Sequence, residues 1–336
     1  MGERKLLGSS NLEGEPASDE YFLPHFRFDI FSWRAVTDTA MPHISVCICT
    51  FKRAKLLTLL LEKLSEQKTG ELFTFSAVVA DNDPDQSARA TIAEFSSANS
   101  MPVTYCSENR QNIALTRNKS LENANGDFIA FIDDDEYPAP DWLLNMYNAR
   151  KEYDVAGVLG PVVPYFERHP PSWATRGKFF DRARFKTGFQ LTSDQSRTGN
   201  VLFKRDILSS VDVPFRSHFD TAGEDIDFFR RMMEKGFKFI WCDEGIAYEL
   251  VPASRCTRKY LLRRALLRGS NFSKHPTDRI KNGIKSLIAV PIYALSLPVL
   301  LLFGQPVFLR YLIKLFDHFS RLLAYAGLPV VTQRQT

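Results

Sequence analysis

The stretch "GDFIAFIDDDEYPAPDWL", Gly126 to Leu143, decides how the chain is read. Five apolar residues, Phe128 to Ile132, run straight into four carboxylates, Asp133, Asp134, Asp135 and Glu136. Two prolines and a helix start at Pro140 follow. A short, unbroken apolar run bounded by turn formers fits a strand buried on both faces. Four like charges in a row repel one another, so their place at the mouth of such a strand needs a reason.

Outward from this stretch the same alternation repeats. "HISVCICTF" reads as a buried strand ending at Thr50, and "RAKLLTLLLEKLSEQ" carries Leu57, Leu60, Leu61 and Leu64 at helical spacing. "FSAVVAD" is a second strand ending at Asp81, and "DQSARATIAEFSS" a second helix. "PVTYC" and "NIALTRNKSLENA" are the third pair, and "GDFIAFID" is the fourth strand. Strands alternating with helices predict a parallel sheet with right-handed crossovers. Ligands of such sheets bind outside the carboxyl ends of the strands. Thr50, Asp81 and Asp133 each end a strand and are therefore expected to meet in one crevice.

Past Trp142 the pattern changes. "DVAGVLGPVVPYF" and "TGNVLFKRDIL" read as strands flanking a long irregular segment, Glu167 to Arg197. "GEDIDFFRRMMEKGFKFIWCD" reads as a helix ended by Gly236 and then a strand. Residues 1–41 hold no sustained period and read as an N-terminal tail, polar and acidic, without the apolar core of a signal peptide.

Composition narrows the class. Hydrophobic content of 44% with 24% charged residues is that of a globular protein. Five scattered cysteines make no disulfide framework and no Cys-x-x-Cys pair, which points to a reducing compartment. No Gly-x-Gly-x-x-Gly follows a strand and no phosphate-loop Gly-Lys-Ser/Thr occurs, which disfavours a dehydrogenase or a phosphate-loop nucleotidase. The net charge of +4 hides an asymmetry: Arg255 to Arg321 holds 13 Lys/Arg against Asp278 and Asp317, while Met1 to Ser254 holds 29 basic residues against 37 acidic. A basic half suggests an anionic partner. The same region carries "SLIAVPIYALSLPVLLLFGQPVFL", Ser286 to Leu309, without a single charge. That combination points to a membrane and away from nucleic acid. The run is long enough to span a bilayer, and a buried core helix or a re-entrant hairpin are its other readings. Next, Phe308, Leu312, Leu315, Phe316, Phe319 and Leu323 fall near one face with Arg310, Lys314 and Arg321 between them, as on a helix lying at the headgroups.

Two acidic clusters carry the chemistry. A carboxylate cluster at a strand end can persist when a divalent cation neutralises it, and oxygen-only ligands favour Mg2+, Mn2+ or Ca2+ over zinc. Asp133 and Asp135 can serve one ion, or one ion and a ribose; a solvated acidic turn is the plainer alternative. In "GEDID", Gly223 to Asp227, the acids either complement the helix dipole or supply a general base, and geometry chooses a base before pKa does.

Strand-end Thr50, "ADNDPDQSA", "NIALTRN", "FIDDDE" and "GEDIDFFRR", in this order from His43 to Tyr248, resemble the inverting nucleotide-sugar glycosyltransferases of family 2. The likeness extends to the branch that builds bacterial exopolysaccharides, the succinoglycan-type glucosyltransferases. It implies an α/β, Rossmann-like nucleotide-diphospho-sugar transferase fold of GT-A type with a mixed central sheet. A catalytic domain over 42–254 would be followed by a basic, apolar, membrane-associated helical region over 255–336. By the resemblance, Thr50, Phe51 and Arg53 contact uracil or ribose, Asp81 accepts from the uracil with Asp83 close by, and Arg117 lies near the diphosphate. Asp133 to Asp135 match the Asp-x-Asp element: Asp135 binds Mn2+ or Mg2+, Asp133 the ribose, the sugar or the same ion, and Asp134 lines the donor. Glu224 and Asp225 match the Glu-Asp pair whose aspartate is the base, and Thr198 to Asn200 line the acceptor side.

The segment before Arg117 departs from the family pattern by lacking a glycine. The Gln-x-x-Arg-Trp motif of processive synthases is absent, and Arg263-Arg264 is no substitute, which argues for addition of one sugar. The implied partners are a nucleotide-sugar donor, a saccharide acceptor on a polyprenyl diphosphate, and the cytoplasmic face of the cell membrane. Two other readings are transfer to polyprenyl phosphate and a non-catalytic, membrane-docked sugar-nucleotide binder.

Overall fold

The computed structural model describes residues 41–219, 223–272 and 279–328; the N-terminal tail expected over 1–41 lies, but for its last residue, outside them. Every described residue belongs to one compact unit, 40–336. The first half folds as its alternation predicts. Strands β1 (His43–Thr50), β2 (Thr74–Asp81), β3 (Val103–Ser107) and β4 (Phe128–Ile132) alternate with helices α1 (Ala54–Ser65), α2 (Arg89–Ala98) and α3 (Ile113–Glu122). The four strands pair in parallel, in the order β3-β2-β1-β4.

Beyond β4 come β5 (Glu136–Pro138), α4 (Trp142–Glu152), β6 (Gly157–Leu159) and β7 (Val162–Phe166). After them follow a short helix α5 (Ser172–Gly177), β8 (Asn200–Lys204), α6 (Glu224–Glu234), β9 (Phe239–Trp241) and β10 (Ala247–Val251). The main sheet runs β3-β2-β1-β4-β8-β6-β9. Only β8 is antiparallel to its neighbours, β4 and β6, so the sheet is mixed. A second sheet, β5-β10-β7, stands beside the mouth of β4.

Both faces of the main sheet are covered, which is why its strands read as continuous apolar runs. Ile44, Val46, Ile48, Ala130 and Ile132 pack with Leu57, Leu61, Trp142 and Met146 on one side. Cys47, Val78, Ile129, Phe131 and Phe203 pack with Ala114, Leu121, Phe228 and Phe229 on the other. Helices α1, α2 and α4 therefore cover one face, and α3 and α6 the other. Each fully buried Leu or Phe contributes roughly 1.5–3 kcal/mol, and these layers fix the height of the strand ends where the acids sit.

The chain closes with α7 (Arg258–Phe272), α8 (Arg279–Leu302) and α9 (Gln305–Tyr325). The uncharged run Ser286–Leu309 is not one helix. Gly304, at φ 95°, and Pro306 break it between α8 and α9, because only glycine tolerates that backbone and proline starts the next helix well. The one described helix long and apolar enough to cross a membrane runs Ile280–Leu302, and only 6% of its apolar window is buried. Pro291 and Pro298 lie inside it. Helix α9 packs against α7, α8 and α5 instead of lying by itself: Leu309 and Ser320 are buried, Ser320 donates to the Leu266 carbonyl, and Arg310 donates to the Gly177 carbonyl at 3.0 Å.

Candidate active site

The carboxylate turn sits between the last residue of β4 and the first of β5. It closes by a hydrogen bond from the Glu136 amide to the Asp133 carbonyl at 3.0 Å, and the Leu250 amide of β10 donates to the Asp135 carbonyl at 3.1 Å. Asp134 points inward. The Thr50 hydroxyl donates to its Oδ2 at 2.9 Å and Arg53 Nη1 to its Oδ1 at 2.7 Å. Burial pushes the Asp134 carboxyl up to about 6, although Arg53 pulls it down. Thr50 and Arg53, expected at the nucleotide base or ribose, thus fasten the carboxylate turn to the end of β1; Phe51 between them is half-buried.

Arginines continue outward from Asp134. Arg53 Nη1 also lies 3.2 Å from Asp135 Oδ2, and Arg255 Nη2 lies 3.2 Å from the same oxygen. Arg255 Nη1 reaches Glu249 Oε1 at 3.1 Å, and Arg182 Nη2 reaches Glu249 Oε2 at 2.5 Å. Glu249 stands directly opposite Glu136 in the β5-β10 pair. Like charges so placed repel, and Arg182, 3.7 Å from Glu136 Oε1, answers both.

Glu136 is buried, and neither of its oxygens has a hydrogen-bond partner among the described residues. Burial, and then the nearby Asp133, push its carboxyl well above the usual range. A Cβ on Gly199 would sit 3.0 Å from Asp133 Oδ2 and 3.1 Å from Glu136 Oε1, so a glycine there keeps a space where two acids of the carboxylate turn converge. The Asp133 side chain is 47% exposed. Among the described residues no three His, Cys, Asp or Glu side chains form a ready metal cage. Mg2+ and Mn2+ usually take one or two protein carboxylates and complete their shell with water and phosphate oxygens. Asp133, with the oxygens of Glu136 near it, and Asp135 offer such a partial, oxygen-only set.

Arg117, on α3, joins this turn to the second acidic cluster. Its Nη1 donates to Glu224 Oε1 at the start of α6, and its Nη2 lies 3.8 Å from Asp133 Oδ1. The guanidinium is buried and stacks over Phe215 with 5.7 Å to the ring centre. Burial opposes its charge, but Glu224 and Asp133 outweigh that and hold it protonated. The three acids of "GEDID" then separate by role. Glu224 is buried against Arg117. Asp227 is buried and takes Arg230 and Arg231 at 2.8 Å each. Asp225 is half-buried and forms no ion pair among the described residues; its Oδ1 accepts from the Ile226 amide at 2.8 Å.

Asp81 lies level with Thr50 in the β1-β2 register and is fully buried. Its oxygens accept from the amides of Asp83 at 3.0 Å and Ala88 at 2.9 Å, and from the Tyr105 hydroxyl at 3.3 Å. It shapes the turn after β2. Asp83 is buried too, with Lys52 Nζ at 3.6 Å and its own Oδ2 unpartnered among the described residues. Of the expected acceptor-side residues, Asn200 is fully used: Trp142 Nε1 donates to it at 2.7 Å, and it donates to the carbonyls of Pro161 and Gly245. The Thr198 hydroxyl is buried without a partner among the described residues.

Comparison with known proteins places this arrangement. The sequence profile of glycosyl transferase family 2 matches residues 45–211. The succinoglycan biosynthesis protein ExoM of Rhizobium meliloti (strain 1021) is 30% identical over 239 residues, covering 69% of this chain and 74% of ExoM. The chain belongs to glycosyltransferase family 2. Chondroitin synthase of Pasteurella multocida (strain Pm70) is 23% identical over 243 residues, but these are 25% of that longer protein. The mannosyltransferase PcManGT of Pyrobaculum calidifontis, solved with GDP-Man and Mn2+, shares the fold at 19% identity with a TM-score of 0.53, covering 86% of this chain and 74% of that one. The mixed sheet is accordingly the GT-A type, and the protein is a glycosyltransferase. The family 2 profile ends before α6, so Glu224 and Asp225 rest on geometry and on their place in the chain.

Sequence reasoning missed Arg182, Arg255 and Glu249 of this glycosyltransferase. Arg255 had been visible only as one charge of a basic half, and Arg182 lay in a segment without period. Glu249 is linked to Glu136 by two strands, one of them three residues long, too short to betray their pairing.

Proposed function

We propose that this glycosyltransferase moves a hexose from a nucleoside diphosphate, UDP by family resemblance, to a hydroxyl of a lipid-linked saccharide in surface or exopolysaccharide biosynthesis. The observation that carries the reading is Arg117, which meets both Asp133 of the carboxylate turn and Glu224, the neighbour of Asp225, and so brings the two acidic clusters together. The similarity to ExoM supports the pathway class.

In the reaction the acceptor hydroxyl gives its proton to Asp225 while its oxygen attacks the anomeric carbon. The bond from that carbon to the diphosphate oxygen breaks, and the electron pair leaves with the nucleoside diphosphate. One displacement inverts the anomeric centre, as in inverting hydrolysis with an alcohol in place of water. Asp225 suits the proton because, of the three acids of its helix turn, it alone makes no direct ion pair among the described residues; Arg117 acts on it only from a distance. Glu224, pinned by Arg117, fixes the start of α6 so that Asp225 meets the acceptor. Asp133 and Asp135 would hold Mn2+ or Mg2+, which supplies Lewis-acid neutralisation of the leaving diphosphate. Arg53 and Arg255 orient Asp135, and Thr50 with Arg53 anchors Asp134.

The catalytic domain, 42–254, is followed by a membrane-associated region, 255–336. The exposed apolar face of α8 supports attachment to a bilayer, and the cytoplasmic supply of nucleotide sugars supports the cytoplasmic side. Asp225→Asn tests the reading: turnover falls by about 10² or more while donor affinity is kept. A second reading, transfer to polyprenyl phosphate, needs no base because its acceptor is already an anion. Full turnover in that variant removes the Asp225 assignment and favours the second reading.

A further inference from the structure

The ion pairs that begin at Asp135 do not end at the donor site. They run from Asp135 to Arg255, Glu249 and Arg182, and a second set begins on α7. Tyr260, Arg264 and Arg268 recur every four residues on that helix and so share a face. Arg268 donates through both arms of its fork to Asp317 of α9, at 2.9 and 2.5 Å. The next residue, His318, touches Ser286 of α8 at 3.0 Å. Arg264 lies between the two sets. It is exposed, forms no ion pair among the described residues, and sits in the fields of Tyr260, Glu249 and Asp317 and of the cations Arg268 and Arg182.

The local charges do not balance. Glu249 already serves Arg182 and Arg255, and Asp317, paired directly with Arg268, also stands in the fields of Arg264 and Arg321, one acid against three arginines. From Arg255 to Arg321 the only other acid is Asp278, against 13 Lys/Arg, and it lies outside the described residues. An anion from outside the chain is therefore wanted at Arg264. It has the acidic transfer site at one end of the contacts and an exposed apolar helix at the other. A molecule that satisfies both ends has an anionic head and a long apolar tail. Arginine forks match phosphate oxygens in planar, paired hydrogen bonds, which a lone ammonium does not.

We propose that Arg264 and Arg182 bind the diphosphate head of the lipid carrying the acceptor saccharide, with its apolar tail running toward α8. The proposal rests on the lipid-linked acceptor argued above and adds the residues that recognise it. It also gives Arg182 two tasks, as counterion of Glu136 and Glu249 and as a wall between the donor's diphosphate and the acceptor's.

The test uses the full chain in phosphatidylcholine nanodiscs with farnesyl diphosphate as the probe. Arg264→Ala and Arg182→Ala are each expected to weaken binding at least tenfold, and Arg258→Ala, another exposed cation of α7, by less than twofold. Saturating UDP should leave the probe bound. Unchanged affinity in Arg264→Ala, an equal loss in Arg258→Ala, or displacement by UDP overturns the site. So does competition by phosphatidylglycerol vesicles, which assigns the arginines to bulk lipid headgroups. Should the wild type not bind the probe, slow nucleotide-sugar hydrolysis by the same preparation separates the two failures. Retained hydrolysis removes this site only, and its absence removes the functional reading as well.

Discussion

Arg117 shows how much one side chain can be asked to do. It is buried with Glu224, whose Oε2 has no hydrogen-bond partner among the described residues, and it reaches Asp133 on another element. Removing one partner of a buried ion pair strands the other's charge and costs about 3–5 kcal/mol. Arg117→Met should therefore lower the urea midpoint sharply, while Arg117→Met with Glu224→Leu recovers most of the loss. A double variant no more stable than the single one would show that Arg117 acts chiefly through Asp133. The cysteines make a second case at this scale. Burial pushes the Cys47 thiol up to about 12 and those of Cys106 and Cys242 to about 11, from 9.0 for a free thiol. Only thiolates react with alkylating agents. At pH 8 these three should resist iodoacetamide in the folded protein and react in urea, as mass spectrometry can read. The sign for stability follows: an acid raised on folding favours the folded state fully below its unfolded value. That contribution fades as pH rises from 9.0 through the folded values, so the urea midpoint should be lower at pH 10 than at pH 8.

At the scale of elements, the βα half of the fold was legible because its strands are buried on both faces and its helices on one. Leu57, Leu60, Leu61 and Leu64 write the helical period openly, and Asp81 and Asp133 mark strand ends within a residue. The same logic placed Thr50, Asp81 and Asp133 along one edge of the sheet. It did not reveal what the acids do there, because ion pairing is decided by side chains far apart in the chain. Thr50 and Asp134 are 84 residues apart, and Arg255 and Asp135 are 120 apart. The break at Gly304 was written in the sequence as Gly-Gln-Pro, yet an uncharged run of even hydropathy conceals a turn from any window wide enough to find a span. Close helix contacts are equally silent until seen. A Cβ on Gly269 of α7 would press on the Asp317 backbone and come within 3.0 Å of Ser320 Cβ of α9. Gly269→Val should destabilise by about 1–3 kcal/mol through overpacking, whereas Gly236→Ala, where a Cβ meets nothing within 4 Å, pays only for its positive φ. Equal thermal midpoints for Gly269→Val and the wild type would mean that α7 and α9 do not pack closely in solution.

The whole molecule sets an acidic body against a basic and apolar end, and this polarity makes its attachment testable. At about 1.5 Å per residue, the 23 residues of Ile280–Leu302 reach about 35 Å, slightly more than the roughly 30 Å hydrocarbon core of a bilayer. Leu295 and Leu302 are 81% and 84% exposed, and Leu287 lies two turns before Leu295 on the same apolar face. Removing everything from Ile284 onward is a poor test, because it also strips α9 from α7 and with it the Arg268–Asp317 ion pair and the Ser320 hydrogen bond to the Leu266 carbonyl. Substitution is cleaner. Leu287→Lys, Leu295→Lys and Leu302→Lys together place three charges where the apolar face now stands and disturb no buried side chain. A central Lys costs about 2.5–3.5 kcal/mol for insertion, so three should move the protein from the membrane pellet to the supernatant. The acidic clusters lie in other elements, so slow donor hydrolysis should persist in the released protein. Retention in the pellet after a high-salt wash would show that α8 does not hold this glycosyltransferase to the membrane, and that its exposed leucines are covered by something other than lipid.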